Sequence, residues 1–153
     1  MIIQLIYTSQ VSSDFPEHAI PELLKTIRRA NAKLEITGML FYLGTTFLQV
    51  LEGEAQSVDG AYARIVGDKR HTQVITISRG PIEERSFPNW TMDFATIDPV
   101  EAGEIIGDPG AFTEGARARL DSLGANKLIA ALRRPKWKQS GGRALAPRAR
   151  RGQ

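Results

Sequence analysis

Apolar positions along the 153-residue chain recur with two periods, and the switches between them predict its elements. Residues 2–9, Ile-Ile-Gln-Leu-Ile-Tyr-Thr-Ser, are β-branched and apolar and run into the turn residues Ser12-Ser13-Asp14, as a first strand would. Ile20, Leu23, Leu24 and Ile27 then recur at i, i+3, i+4 and i+7, which predicts an amphipathic helix ending near Ala32, with Pro16 and Pro21 at its start. Residues 36–43 and 46–51 are two strand-like runs separated by Gly44 and Thr45, a spacing that suits a tight hairpin. A second helical stripe, Val58, Ala61, Tyr62 and Ile65, marks residues 56–70. Strands follow at 74–78 and 89–95, then helices at 100–106 and about 114–132, split by Gly107-Asp108-Pro109-Gly110.

The order βαββαββ followed by helices predicts an α+β class with a ferredoxin-like, split βαβ sheet. Right-handed crossovers place the first and third strands side by side, with both early helices on one face and the C-terminal helices on the other. A cleft between the two early helices, floored by the first and third strands, is then the natural ligand site.

Composition narrows the chemistry. Hydrophobic residues at 42% and charged residues at 24% suit one ordinary globular domain, and the absence of cysteine removes disulfides, thiolate nucleophiles and cysteine-bound metals. No apolar run approaches a membrane span and residues 1–9 lack an export signal, so the expected location is cytoplasmic, without a membrane partner. The net charge of +3 conceals an asymmetry: eight of the 20 Lys and Arg lie in 133–153 with no acid among them, leaving 12 bases against 17 acids elsewhere. Residues 138–153, basic and carrying Ser140-Gly141-Gly142, are expected to be a disordered tail. Such a tail suits a solubilising terminus better than a specific nucleic-acid contact.

Three polar residues fall where apolar ones are expected. Asn31 continues the apolar stripe of the first helix, either as a C-terminal cap or as a ligand contact. Gln49 shares a strand face with Phe47 and Leu51, and Tyr7 shares one with Ile3 and Leu5; each is open to a plain core reading. Converging beneath the cleft, the three would suit a planar ligand with a polar edge. Arg64 and Asp68, four apart, read by default as a surface ion pair, and Arg70 with His71 as complements to a helix C-terminus. Trp90, Met92 and Phe94 alternate as core residues of a fifth strand. Neither a His-Glu-x-x-His nor a Gly-x-Ser-x-Gly motif occurs, and no Gly-rich phosphate fingerprint follows the first strand.

Taken together, the residues resemble the BLUF family of blue-light sensors using a flavin, over roughly 1–97. The marks are Tyr7, Asn31 with Ile36-Thr37-Gly38, Phe47-Leu48-Gln49-Val50-Leu51-Glu52-Gly53, Asp68-Lys69-Arg70-His71, and Arg85-Ser86-Phe87-Pro88-Asn89-Trp90-Thr91-Met92. Each string is weak alone; their joint order on matching elements is specific. The resemblance implies FAD, with FMN or riboflavin as acceptable substitutes, held between the helices by Leu40, Phe47 and Ile65. Asn31 would bond the ring's polar edge, with Arg64, Asp68, Arg70 and His71 near the ring edge or ribityl chain. Where the family often has a polar, flavin-directed residue before the Asn, this chain has Ala30.

The implied mechanism is photochemical and not enzymatic. Excited flavin takes an electron and then a proton from Tyr7, the radical pair recombines, and the Gln49 amide, by rotation or tautomerisation, changes its bonds and red-shifts the absorption. Trp90 and Met92 are the implied signal output. Residues 98–137 are expected to form capping and output helices that present a surface to another subunit, as a homo-oligomer, or to a separate effector protein. Two other readings compete: a ferredoxin-like adaptor whose basic tail binds nucleic acid or an acidic partner, and a flavin-dependent redox enzyme, which lacks an evident substrate-directed acid or base.

Overall fold

The computed structural model describes residues 1–11, 16–44, 46–68, 71–108, 110, 112 and 120–132. The expected disordered tail at 138–153, the Arg70 site and residues 114–119 of the expected last helix lie outside these. In chain order the elements are β1 (Ile2–Val11), a 3-10 turn (Glu17–Ala19), α1 (Ile20–Leu34), β2 (Thr37–Tyr42), β3 (Thr46–Glu54), α2 (Ala55–Val66), β4 (His71–Pro81), β5 (Asp93–Thr96), α3 (Pro99–Ile106) and α4 (Ser122–Leu132). The strands form one mixed sheet in the order β4-β1-β3-β2-β5. β1 lies antiparallel to β3, as the crossover argument requires, and β5 runs parallel to β2.

Period-2 alternation divides the sheet's side chains between two apolar layers. Ile3, Leu5 and Tyr7 of β1 and Phe47 and Leu51 of β3 pack with Ile20, Leu23 and Leu24 of α1 and Val58 and Ala61 of α2. Ile6, Leu48 and Val50 point the other way, into a layer with Ala102 of α3 and Ala125, Leu128 and Ile129 of α4. Each large apolar side chain so buried contributes about 2 kcal/mol.

Local chemistry sets the boundaries. α1 runs to Leu34 and stops where Glu35 adopts φ 57°, while the Ile36 amide closes on the Asn31 carbonyl at 3.0 Å. Asn31 is therefore inside the helix, and the capping reading of its side chain is corrected. α2 ends at Val66 with Gly67 as its cap, short of the expected Arg70. Gly44, at φ 88°, starts the return from β2 to β3, where the Leu43 amide bonds the Thr46 carbonyl at 2.8 Å. Asp98 caps α3 by accepting from the Glu101 amide at 3.1 Å, and Gly107 ends it at φ 83°. Asp121 accepts from the Gly124 amide at 2.9 Å where α4 starts at Ser122; the expected start near 114 lies outside the described residues.

β5 departs most from expectation, beginning at Asp93 and not at Asn89. The Trp90 carbonyl bonds the Gly38 amide of β2 at 3.1 Å, but the next two carbonyls are taken by α1 side chains, that of Thr91 by the Asn31 amide group at 2.8 Å and that of Met92 by the Arg28 guanidinium at 2.7 Å. Regular pairing with β2 therefore begins only at Asp93, opposite Met39.

Candidate functional site

The register of the sheet places Tyr7 directly opposite Gln49, and Gln49 directly opposite Leu40. Above this row, between α1 and α2, lies a cavity of about 230 Å³. Its walls are apolar, with Leu23, Ile27 and Ala30 from α1, Ala61 and Ile65 from α2 and Leu51 from the floor. Its polar groups are few: Tyr7 and Gln49 on the floor, Thr26 and Asn31 on α1, and Arg64 and Asp68 at and beyond the end of α2. The cavity thus brings together Tyr7, Asn31, Gln49, Arg64, Ile65 and Asp68. The arrangement explains Arg64 and Asp68 as members of the cavity wall, a role that the surface ion-pair reading lacked.

Leu40 and Phe47, expected at the ring, are buried in the apolar layer on the same face and do not line the cavity. His71 opens β4 and only its backbone is described; Arg70 lies outside the described residues.

The Tyr7 hydroxyl donates to the Gln49 side-chain oxygen, and the Gln49 amide nitrogen donates to the Met92 sulfur at 3.4 Å. Gln49 is 2% exposed and Tyr7 and Met92 are fully buried, so this relay is shut off from water. Burial raises the Tyr7 pKa far above the ordinary phenol value, and the nearby Tyr62 and Asp68 push it the same way. The phenol is therefore a neutral hydrogen-bond donor at neutral pH.

Trp90 and Met92 part company. Met92 lies beneath the cavity in the layer facing α1 and α2, whereas Trp90 packs against the layer facing α3 and α4. The expected alternation of Trp90, Met92 and Phe94 on one strand face is corrected accordingly, because both Trp90 and Met92 precede β5.

Sequence reasoning missed the anchors of this segment. Glu52, fully buried, accepts from the Ser86 amide at 3.0 Å, the Phe87 amide at 2.9 Å and the Gln4 side chain at 2.8 Å. Arg85 donates to the Glu35 carbonyl and the Thr37 hydroxyl, both at 2.9 Å, and to the Glu52 carbonyl at 3.2 Å. A signal for Glu52 existed, since alternation places this acid on the apolar face of Leu48 and Val50. Arg85 has no comparable local mark. Gly38 is equally constrained, because a Cβ there would lie 1.9 Å from the Val50 carbonyl oxygen.

Among the described residues no cluster of His, Asp or Glu could hold a metal ion, and no helix is long and apolar enough to cross a membrane. The cavity instead fits a planar aromatic heterocycle: apolar walls for its faces, and buried phenol and amide groups for a polar edge.

Comparison with known proteins agrees. The family model for BLUF, sensors of blue-light using FAD, matches residues 2–93. The chain is 39% identical over 93 residues to the photoactivated adenylate cyclase subunit beta of Euglena longa, covering 60% of this chain and 11% of that protein. It is 34% identical over 106 residues to the blue light- and temperature-regulated antirepressor BluF of Escherichia coli, covering 69% and 26%. The dark-state structure of BlrB, a BLUF protein, superposes with a TM-score of 0.70 at 27% identity, covering 86% of this chain and 95% of that one. The chain thus spans about a tenth of the photoactivated cyclases it matches but nearly all of BlrB. A buried Tyr–Gln–Met relay under an apolar slot, on this sheet and with these relatives, makes the chain a member of the BLUF family, sensors of blue-light using FAD.

Proposed function

We propose that the light switch of this chain is the Tyr7–Gln49–Met92 relay, and that residues 82–92 carry its output to the α3/α4 side of the sheet. The observation that carries the reading is the hydrogen bonding of Gln49, which engages Tyr7 with its oxygen and Met92 with its nitrogen. FAD, when bound, supplies the blue absorption and the excited-state oxidising power.

The chain's residues hold and answer that group. Of the residues that line the cavity, Leu23, Ile27, Ala61 and Ile65 would enclose the ring, Asn31 and Gln49 would bond its polar edge, and Arg64 and Asp68 would hold the ribityl chain. Ala30 leaves one wall apolar where the family often has a polar group. Tyr7 would give up an electron and its hydroxyl proton to the bound flavin, and regain both, in an enclosure that excludes water. Once that proton leaves, the Gln49 oxygen loses its donor, and the amide gains by turning or tautomerising. Its nitrogen then leaves the Met92 sulfur, and Met92 is freed from one of the contacts that fix it.

Residues 82–92 are well placed to use that change. They are pinned at one end by Glu52 and at the other by Arg28 and Asn31, with Trp90 between the pins and against the far layer. We assign residues 1–97 as the flavin-binding unit and 98–137 as capping and output helices. The receiver is a separate effector protein or a second copy of this chain, in the cytoplasm.

The test is the absorption spectrum of the purified protein in darkness and under blue light. A flavin spectrum that shifts to the red and relaxes supports the switch. Flavin bound without a shift places the failure in Tyr7 and Gln49, and a chain that takes up no FAD defeats the reading.

A further inference from the structure

We infer that Tyr62 is a positioning residue for Tyr7, holding its phenol from the flank opposite Gln49 and tying it to the edge strand β4 through Thr76. The inference rests on the photoswitch reading above and adds a residue to it.

Tyr62 sits on the apolar stripe of α2, one position after Ala61, yet it does not line the cavity. Its ring instead meets the Tyr7 ring, with centroids 5.3 Å apart and planes inclined at 46°. That separation and tilt fall in the attractive range for aromatic pairs. The Tyr62 hydroxyl and the Thr76 hydroxyl are 2.6 Å apart and hydrogen-bonded. Thr76 is also the cross-strand partner of Tyr7 on β4, at a point where the β1/β4 register shifts between Ile6 and Tyr7. Tyr7 therefore has Gln49 on one neighbouring strand and Thr76 on the other, with Tyr62 bridging from the ring of Tyr7 to that Thr76.

The bridge is braced. One turn earlier on α2, Asp59 pairs with Arg79 of β4 through two bonds of 2.9 and 2.7 Å. Helix and edge strand are thus joined at Asp59–Arg79 and again at Tyr62–Thr76, and the second joint reaches the switch. A phenol in a fully buried site can lose its aim toward Gln49 only by sliding or tilting its ring. Tyr62 limits both motions, so it governs how readily the hydroxyl returns to the Gln49 oxygen after light.

The experiment compares Tyr62→Phe, Thr76→Val, their double variant and Tyr62→Leu in the flavin-loaded protein. Two readouts are taken: the thermal recovery rate after blue light, and the Tyr7 ring resonances in darkness with ¹³C-labelled tyrosine, assigned by their loss in Tyr7→Phe. Tyr62→Phe and Thr76→Val should each change recovery by about twofold to tenfold, the span of one hydrogen bond. The double variant should equal the single ones, since both remove the same bond. Tyr62→Leu, which removes the ring contact too, should exceed them and move the Tyr7 resonances furthest. Leu128→Ala, in the opposite layer, is the control for general loosening and should leave recovery unchanged. Recovery within about 1.5-fold of wild type in Thr76→Val, with unmoved Tyr7 resonances, would overturn the inference. A wild-type protein without a light shift would overturn the photoswitch reading instead, and the dark resonances would then decide the role of Tyr62 alone.

Discussion

The two faces of β3 are built from adjacent residues of one strand and do different work. Phe47, Gln49 and Leu51 face α1 and α2, where the packing opens into a cavity and a polar relay runs beneath it. Leu48, Val50 and Glu52 face the other way, where α3 and α4 close over an apolar layer and the Glu52 carboxylate is spent on two backbone amides and one side chain. The difference teaches how polar groups are used in this core. On the cavity face a buried amide bonds two side chains beside an open cavity, the arrangement that the proposed switch would use. On the far face a buried carboxylate has one set of partners, and it can only hold.

The largest expected effects lie on the switching face. Tyr7→Phe and Gln49→Leu should each abolish the light-induced spectral shift while flavin stays bound, as difference spectra of dark and illuminated protein would show. A normal photocycle in Tyr7→Phe would remove the distinction between the faces.

Damage to the holding face should cost stability and spare the spectrum. Leu128→Ala, in the layer under α4, should lower unfolding free energy by about 2–5 kcal/mol in denaturant titrations with the shift retained. Glu52→Ala leaves the Ser86 and Phe87 amides without their acceptor and should cost about 2–4 kcal/mol, whereas Glu52→Gln keeps one oxygen and should cost less. Equal losses for the two variants would mean that the amides find other acceptors.

The smallest effect is one of pH. Burial raises the Tyr7 pKa in the folded chain above the value of about 10 that the unfolded phenol has. The stability linked to this proton is therefore complete below about pH 10 and declines as pH rises further, because the unfolded chain releases a proton that the folded chain keeps. Denaturation midpoints measured between pH 9 and 11 should fall more steeply for wild type than for Tyr7→Phe, the other tyrosines cancelling.

Much of this was legible from the chain alone, and for a physical reason. Periodicity is local: a strand alternates and a helix repeats at 3.6 residues whatever lies across from it, so the βαββαββ order, the two faces and the inward aim of Tyr7, Asn31 and Gln49 could be read directly. The family resemblance then named a ligand for a site that these three residues already outlined. Glu52 was readable in principle, as an acid on an apolar face, though its partners were not.

What only the tertiary structure decided was where acceptors and donors from distant segments meet. The carbonyls of residues 91 and 92 belong to a stretch whose sequence alternates like a strand, but the Asn31 and Arg28 side chains of α1 claim them, so β5 starts late and Trp90 and Met92 face opposite layers. Asn31 is an anchor and not a cap because α1 continues three residues past it. The pairing of Tyr62 with Tyr7 and Thr76 depends on how α2 crosses β4, which no repeat in α2 encodes. The chain's own pattern determined which residues are buried and on which face; the choice among partners for their polar atoms was made by packing, since a hydrogen bond needs two groups within about 3 Å and sequence spacing says nothing of that distance once the chain has folded back.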